Sequence, residues 1–213
     1  MKQKVQKKQC MIAIILDLFI IIFGILGSYI EIYENGLGML GYYTVDSNIF
    51  MVLCCFLDII YQVAAFQGQK NLIWIKDIKY TGVCCMTITF CIVFFILAPM
   101  GGLEGYLRIF FEGALKYQHF LCPILTIASF LLIDRFQTTL KRSMVYVALI
   151  PTIIYAVITT SLNIAKVMYG PYPFLYVYEQ SVGMSVFWCV LILSIEYAIV
   201  WLLWKTNQIL KEK

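Results

Sequence analysis

The single histidine of this 213-residue chain, His119, is the side chain best suited to acid–base chemistry. It lies within residues 117–123 (YQHFLCP), at the start of a long apolar run. Imidazole is the usual general base near neutral pH, and polar groups at membrane depth are functional more often than not. A histidine bonded to a carbonyl or to water is the simpler alternative. We therefore predict that His119 is a catalytic base.

A second polar cluster, residues 44–48 (TVDSN), precedes another apolar run. Thr44 and Asn48 are four residues apart and share one helix face, which Ser47 adjoins. Capping of a helix start would explain one of these side chains, but it explains four polar groups in five residues less well. A threonine hydroxyl becomes nucleophilic when an adjacent base accepts its proton. We predict Thr44 as the nucleophile for His119, with Asn48 or Ser47 donating to a developing oxyanion.

Other side chains are predicted to contact the substrate. Cys122 lies one helical turn after His119, so a Cys–His nucleophile pair is an alternative, although buried thiols are usually inert. Residues 169–174 (YGPYPF) form a rigid turn because two prolines restrict the backbone. This turn is either a loop with interfacial anchors or one wall of the site. The predicted substrate contacts are Ser47, Asn48, Tyr43, Cys122, Tyr172 and Phe174.

The elements that position these residues follow from composition. Hydrophobic residues make up 62% and charged residues 13% of the chain, whereas soluble domains carry about a quarter charged residues. Runs of this length and apolarity span a bilayer as helices, since lipid offers no partner for a backbone hydrogen bond. We predict an all-α, polytopic membrane protein, one domain over 1–213, with a bundle of six spans: 11–30, 49–66, 80–98, 117–133, 144–162 and 182–204.

The distribution of cations predicts orientation. Only Arg108, Lys116 and Lys166, of 16 lysine and arginine residues, fall on the side opposite the termini. Basic loops are cytoplasmic, so both termini are predicted to be cytoplasmic, and the loops richer in aromatic residues lie outside. The net charge of +4 then reflects topology and lipid headgroups, and we predict no nucleic-acid partner.

Residues 103–116 (LEGYLRIFFEGALK) are apolar at helical spacing but too short to span the bilayer. We expect a helix in the outer interface that leads into His119. It is either a connector or a lid over the predicted site.

Asp17, Asp58 and Glu196 form a competing polar set inside the apolar runs. By helical rise they lie at a similar depth, and intramembrane carboxyls indicate proton or cation handling. The alternative prediction is thus a proton-coupled transporter or a membrane protein that binds lipids or small molecules. No span, as bounded above, contains a matching cation.

The eight cysteines show neither a Cys-x-x-Cys motif nor a Cys/His ligand spacing, and nearly all lie inside spans. We interpret them as small packing residues. The sequence predicts no metal and no cofactor.

Three motifs together resemble a known family. An aromatic residue followed by Thr44 and Asn48 opens the second span, His119 and Pro123 open the fourth, and Tyr172-Pro173-Phe174 precedes the sixth. This pattern resembles the androgen-induced and androgen-dependent membrane proteins, which are six-helix hydrolases of fatty acid esters of hydroxy fatty acids. The motifs at 42–48 and 172–174 look closer still to uncharacterised bacterial relatives.

The resemblance implies a catalytic Thr–His pair, which here would be Thr44 and His119. It implies a lipid or acyl-ester substrate taken from the bilayer and, given the bacterial relatives, a bacterial plasma membrane location. We expect the two side chains to face each other across a cavity, joined directly or through one water. An apolar tunnel for the acyl chain is expected beside them, roofed by 103–116 and 172–174.

Overall fold

The computed structural model describes residues 2–69 and 72–209, with side chains from residue 7 onward. Within these residues the chain is helical and forms no strand. Six helices are long and apolar enough to cross a membrane, and a short helix, α4 (Gly102–Phe111), precedes the fourth. The six are α1 (Lys7–Asn35 of a helix beginning at Lys2), α2 (Tyr43–Phe66), α3 (Trp74–Met100), α5 (Tyr117–Gln137), α6 (Met144–Ile164) and α7 (Val182–Ile209).

The predicted fold class is confirmed, and the starts of the last three spans agree with the sequence analysis. The first three helices begin earlier than predicted. Helix α3 starts at Trp74 and not near residue 80, so Lys76 and Lys79 lie inside it and are buried. The predicted third span, 80–98, excluded both lysines, and this was wrong. A lysine that has carboxylate partners can be buried within the bundle.

Three prolines interrupt the spanning helices: Pro99, Pro123 and Pro151. A proline inside a helix has no N–H to donate, and its ring clashes with the carbonyl four residues earlier. In each case the residue four positions before the proline lies where the regular α-helix is interrupted. For Pro99 this residue is Phe95, in the π-helical turn Val93–Leu97, and for Pro123 it is His119, in the π-helical turn Tyr117–Leu121. For Pro151 it is Val147, the last residue of the helical segment Met144–Val147. The candidate base therefore occupies a backbone irregularity that the sequence itself creates.

Helices α1, α2, α3 and α5 share a core in which side chains from all four are buried. Small residues allow close approach between them, as is common in membranes. A Cβ at Gly82 of α3 would lie 2.9 Å from Met51 Sδ of α2. Helices α6 and α7 are less enclosed, with 22% and 17% of their spanning windows buried. They are therefore the helices most open to the surrounding lipid.

Five buried charged side chains connect the four packed helices. Lys79 Nζ lies 2.7 Å from Asp17 Oδ1, 2.7 Å from Asp58 Oδ2 and 3.1 Å from Asp134 Oδ2. Lys76 Nζ lies 2.6 Å from Asp58 Oδ1 and 2.9 Å from Asp134 Oδ1. We call these five residues the Lys79 cluster. The inference that the spans contain no cation to match the carboxyls was therefore wrong for Asp17 and Asp58.

We predict that Lys79→Met strongly destabilises the protein. The substitution leaves three buried carboxyls around one remaining ammonium, and breaking a buried ion pair typically costs about 3–5 kcal/mol. Thermal and denaturant unfolding of purified protein in detergent would measure the loss. The control is Lys141→Met, which removes an exposed lysine and should change stability by no more than about 0.5 kcal/mol. Equal effects of the two substitutions would contradict a structural role for the cluster.

Candidate active site

The π-helical turn that carries His119 is held by a side chain from α2. In this turn the Cys122 N–H donates to the carbonyl of Tyr117. The next donor along the helix would be residue 123, a proline, so the Gln118 carbonyl lacks a helical partner. Asn48 Nδ2 donates to that carbonyl at 3.2 Å. Asn48, which was predicted from the sequence as an oxyanion donor, therefore supplies the hydrogen bond that the Gln118 carbonyl lacks within the helix.

Asn48 also links this turn to Thr44. Its Nδ2 donates to the Thr44 carbonyl at 2.8 Å, so both amide hydrogens are used. Ser47 Oγ lies 3.0 Å from the same carbonyl and 3.0 Å from Thr89 Oγ1, which itself bonds the carbonyl of Cys85. Every hydrogen of these side chains is thus engaged within the protein. Neither Ser47 nor Asn48 has a spare donor for a substrate in this arrangement.

The Thr44 side chain bonds the hydroxyl of Tyr172, from the loop between α6 and α7. The Thr44 N–H donates to Tyr172 Oη at 3.3 Å, and Thr44 Oγ1 lies 3.1 Å from the same oxygen. Burial raises the pKa of Tyr172 to about 12, against the lowering effect of these bonds. The phenol is therefore neutral at physiological pH and keeps a proton that it can donate. Tyr172 was predicted as a substrate contact, but its hydrogen bond to Thr44 was not predicted.

His119 and Thr44 lie at the same end of the bundle, but no direct hydrogen bond joins them. Nδ1 of His119 is buried without a partner among the described residues, while the Thr44 hydroxyl bonds Tyr172. The two residues are connected through Asn48, which binds the carbonyl of Thr44 and the carbonyl that precedes His119. Catalytic hydrogen bonds are often long or incomplete before the substrate binds.

An apolar cavity of about 80 Å³ opens at Thr44. Tyr43, Tyr172 and Phe174 line it, together with side chains from α3, α6 and α7. Helix α4, the predicted second roof, is not part of its lining. His119 does not line it either, so the expectation that Thr44 and His119 face each other across a cavity was wrong for this arrangement. Phe110 of α4 packs instead against Phe90 and Phe120, beside the start of α5.

A larger cavity of about 470 Å³ lies between α2 and α6. Tyr43 and Tyr155 line both cavities, and their rings meet edge to face with centroids 5.0 Å apart. Asp46 and Ser47 supply polar groups to the larger cavity. The two cavities are therefore neighbours across a pair of aromatic rings.

The remaining sequence-predicted residues have other surroundings. Cys122 Sγ points to the carbonyl of Ile20 at 3.8 Å, which places this thiol in the α1–α5 contact. Glu196 is fully buried and does not join the Lys79 cluster: its Oε1 accepts a hydrogen bond from Thr152 at 2.6 Å, and Thr152 bonds the Tyr43 hydroxyl at 2.6 Å. The three carboxyls predicted at one depth thus belong to two separate sites.

No protein-family model, curated protein or solved structure matches this chain.

We predict that Asn48 and Pro123 are energetically coupled. Asn48→Ala orphans the Gln118 carbonyl, and leaving a buried acceptor unsatisfied costs about 1–3 kcal/mol. Pro123→Ala restores a backbone N–H that can bond this carbonyl. Asn48→Ala should therefore be less destabilising in the Pro123→Ala background. Denaturant unfolding of the four proteins in a double-mutant cycle measures the coupling. Strictly additive effects would show that Asn48 does not compensate for the proline.

Proposed function

We propose that the protein is an intramembrane ester hydrolase or acyl transferase that acts on a lipid or fatty-acyl ester, with Thr44 as nucleophile and His119 as general base. The observation that carries this proposal is the Thr44 hydroxyl: it lies at the polar end of an apolar cavity, in contact with a phenol that can donate a proton. Acyl-lipid sites combine an apolar channel with a few polar groups at the reacting end.

In the proposed reaction, Thr44 Oγ1 attacks the ester carbonyl while His119 accepts the hydroxyl proton. Tyr172 donates to the oxygen that becomes negative. The tetrahedral intermediate collapses to an acyl-Thr44 ester, and the leaving alkoxide takes the proton from His119. Water, activated by His119, then hydrolyses the acyl-enzyme. In acyl transfer an alcohol replaces this water, and the residues keep the same roles.

The local structure supports His119 as the base. Its imidazole sits where Pro123 and Asn48 fix the backbone, and its Nδ1 has no partner in the described part of the chain. The imidazole is therefore not engaged by another residue through this nitrogen. Entry of a substrate between Thr44 and Tyr172 would free the threonine hydroxyl to donate its proton towards His119, directly or through one water.

The cavities support an acyl substrate. Ligand pockets typically measure about 300–1,000 Å³, so the 80 Å³ space at Thr44 suits the reacting ester alone. The 470 Å³ cavity beyond Tyr43 and Tyr155 is large enough for an alkyl chain if these rings rotate. The motif resemblance described above points to the same substrate class. We place the site at the outer leaflet of a bacterial plasma membrane, with both termini cytoplasmic.

A transport or small-molecule binding function using Asp17, Asp58 and Glu196 is the second candidate. One observation favours it: Glu196 Oε2 is buried without a partner among the described residues, and Glu196 connects through Thr152 and Tyr43 to the cavity. Under this alternative Glu196→Gln or Asp58→Asn abolishes function, transport depends on a proton gradient, and Thr44→Ala has no effect.

We predict that Thr44→Ala and His119→Gln each reduce hydrolysis of p-nitrophenyl acyl esters by purified protein by about 10²-fold or more. The double variant should be little worse than either single one, because residues of one catalytic unit are not additive. Thr126→Val is the matched control, since it removes another buried threonine hydroxyl from the bundle and should leave turnover unchanged. Full activity of folded Thr44→Ala would refute the proposal.

We also predict a specific defect for Tyr172→Phe. Loss of an oxyanion donor typically lowers kcat by about 10²–10³-fold, and the phenyl ring preserves the cavity wall, so KM should change little. Steady-state kinetics with the same esters separate the two parameters. A rise in KM at constant kcat would assign Tyr172 to substrate binding alone.

A further inference from the structure

The Lys79 cluster holds more carboxyls than cations. It contains three carboxyls and two ammonium groups, and all five side chains are buried. If every group were ionised, the cluster would carry one uncompensated negative charge. Burying such a charge away from water is costly, and the group takes up a proton or pairs with a cation instead. The count alone thus requires one additional positive charge.

The three carboxyls are not equally stabilised. Asp58 faces Lys76, Lys79 and the amide of Gln62. Asp134 likewise receives three donors: Lys76, Lys79 and the hydroxyl of Ser129. Asp17 has Lys79 alone, and its Oδ2 is buried without a partner in the described residues. Asp17 is therefore the carboxyl that gains least from being ionised.

Asp17 and Asp58 contact the same ammonium, since Lys79 Nζ lies 2.7 Å from Asp17 Oδ1 and 2.7 Å from Asp58 Oδ2, so the two carboxyls are close neighbours. An ionised carboxylate only accepts hydrogen bonds, so two carboxyls can bond each other only when one carries a proton. Since Asp58 has three donors of its own, the proton belongs on Asp17. We propose that the Lys79 cluster is a proton-binding site in which Asp17 is the neutral acid and donates to Asp58.

The other titratable neighbours do not supply the missing charge. The Cys55 thiol of α2 approaches Asp17, Cys10 of α1 lies near Lys76 and Asp58, and the Tyr61 ring covers Lys76. None of these is cationic. A metal ion is a poor alternative, because no metal-binding group of side chains occurs in the described residues and two ammonium groups already fill the space between the carboxyls.

The proton-binding site is independent of the proposed esterase. Asp58 lies fourteen residues after Thr44 on α2, which corresponds to about 21 Å along the helix. Releasing the proton would leave a buried negative charge between α1, α2 and α3. The cluster therefore makes the packing of these helices sensitive to pH, with the folded protein binding one more proton than the unfolded chain.

Linkage gives a direct test. The native state binds one proton more than the unfolded state at pH values above the range where free aspartate titrates. In this range the unfolding constant of the wild type should therefore increase with pH more steeply than that of Asp17→Asn, by about a factor of ten per pH unit. The asparagine amide can donate to Asp58 and accept from Lys79, so this variant should be as stable as the wild type near neutral pH. Glu104→Gln, which changes an exposed carboxyl of α4 outside the cluster, should retain the wild-type slope. Equal slopes for wild type and Asp17→Asn would overturn the proposal.

Infrared spectroscopy of the wild-type protein provides a second measurement, which does not depend on the folding of a variant. Protein with carboxyl-¹³C aspartate should show an isotope-shifted C=O band of a protonated carboxyl at neutral pH, and this band should vanish at alkaline pH. Aspartate labelling separates the signal from Glu196. Failure to find such a band would also overturn the proposal. Neither experiment uses ester turnover, so a failed esterase assay leaves the result unaffected.

Discussion

A hydrocarbon surrounding offers no hydrogen-bond partner to a backbone amide or carbonyl, so the backbone of each spanning helix must find its partners inside the protein. Pro123 breaks this rule locally, because it removes the donor for the Gln118 carbonyl within α5. Asn48 supplies the missing donor from α2. Since the same amide bonds the Thr44 carbonyl, one side chain fixes the relation between the start of α2 and the turn that carries His119.

The same constraint divides the polar groups into two systems at opposite ends of α2. At one end, Thr44 and Tyr172 border apolar cavities, and the less enclosed helices α6 and α7 form much of the wall. At the other, the Lys79 cluster joins the more enclosed helices α1, α2, α3 and α5. In the proposed function, the more enclosed helices hold Asn48 and His119, while the less enclosed α6 and α7 line the cavity that would admit the lipid substrate.

Hydropathy predicted the six spans because a bilayer imposes length and apolarity on each helix separately. It misplaced the start of α3, since Lys76 and Lys79 are recognised as helix residues only when their carboxylate partners from α1, α2 and α5 are known. Helical rise placed Asp17, Asp58 and Glu196 at one depth, but depth does not give position around the bundle. For the same reason the sequence indicated Tyr172 as a substrate contact but not the bond of its hydroxyl to Thr44, a residue 128 positions away.

In the proposed function, the Thr44 hydroxyl is a nucleophile at a lipid-accessible site. Reaction of purified protein with an alkyl fluorophosphonate, followed by peptide mass spectrometry, locates any covalent adduct on a single residue. We predict phosphonylation of the Thr44 side chain, suppressed by prior incubation with long-chain acyl esters and lost in His119→Gln. An adduct on another residue, or folded protein that stays unmodified at saturating probe, would contradict the claim.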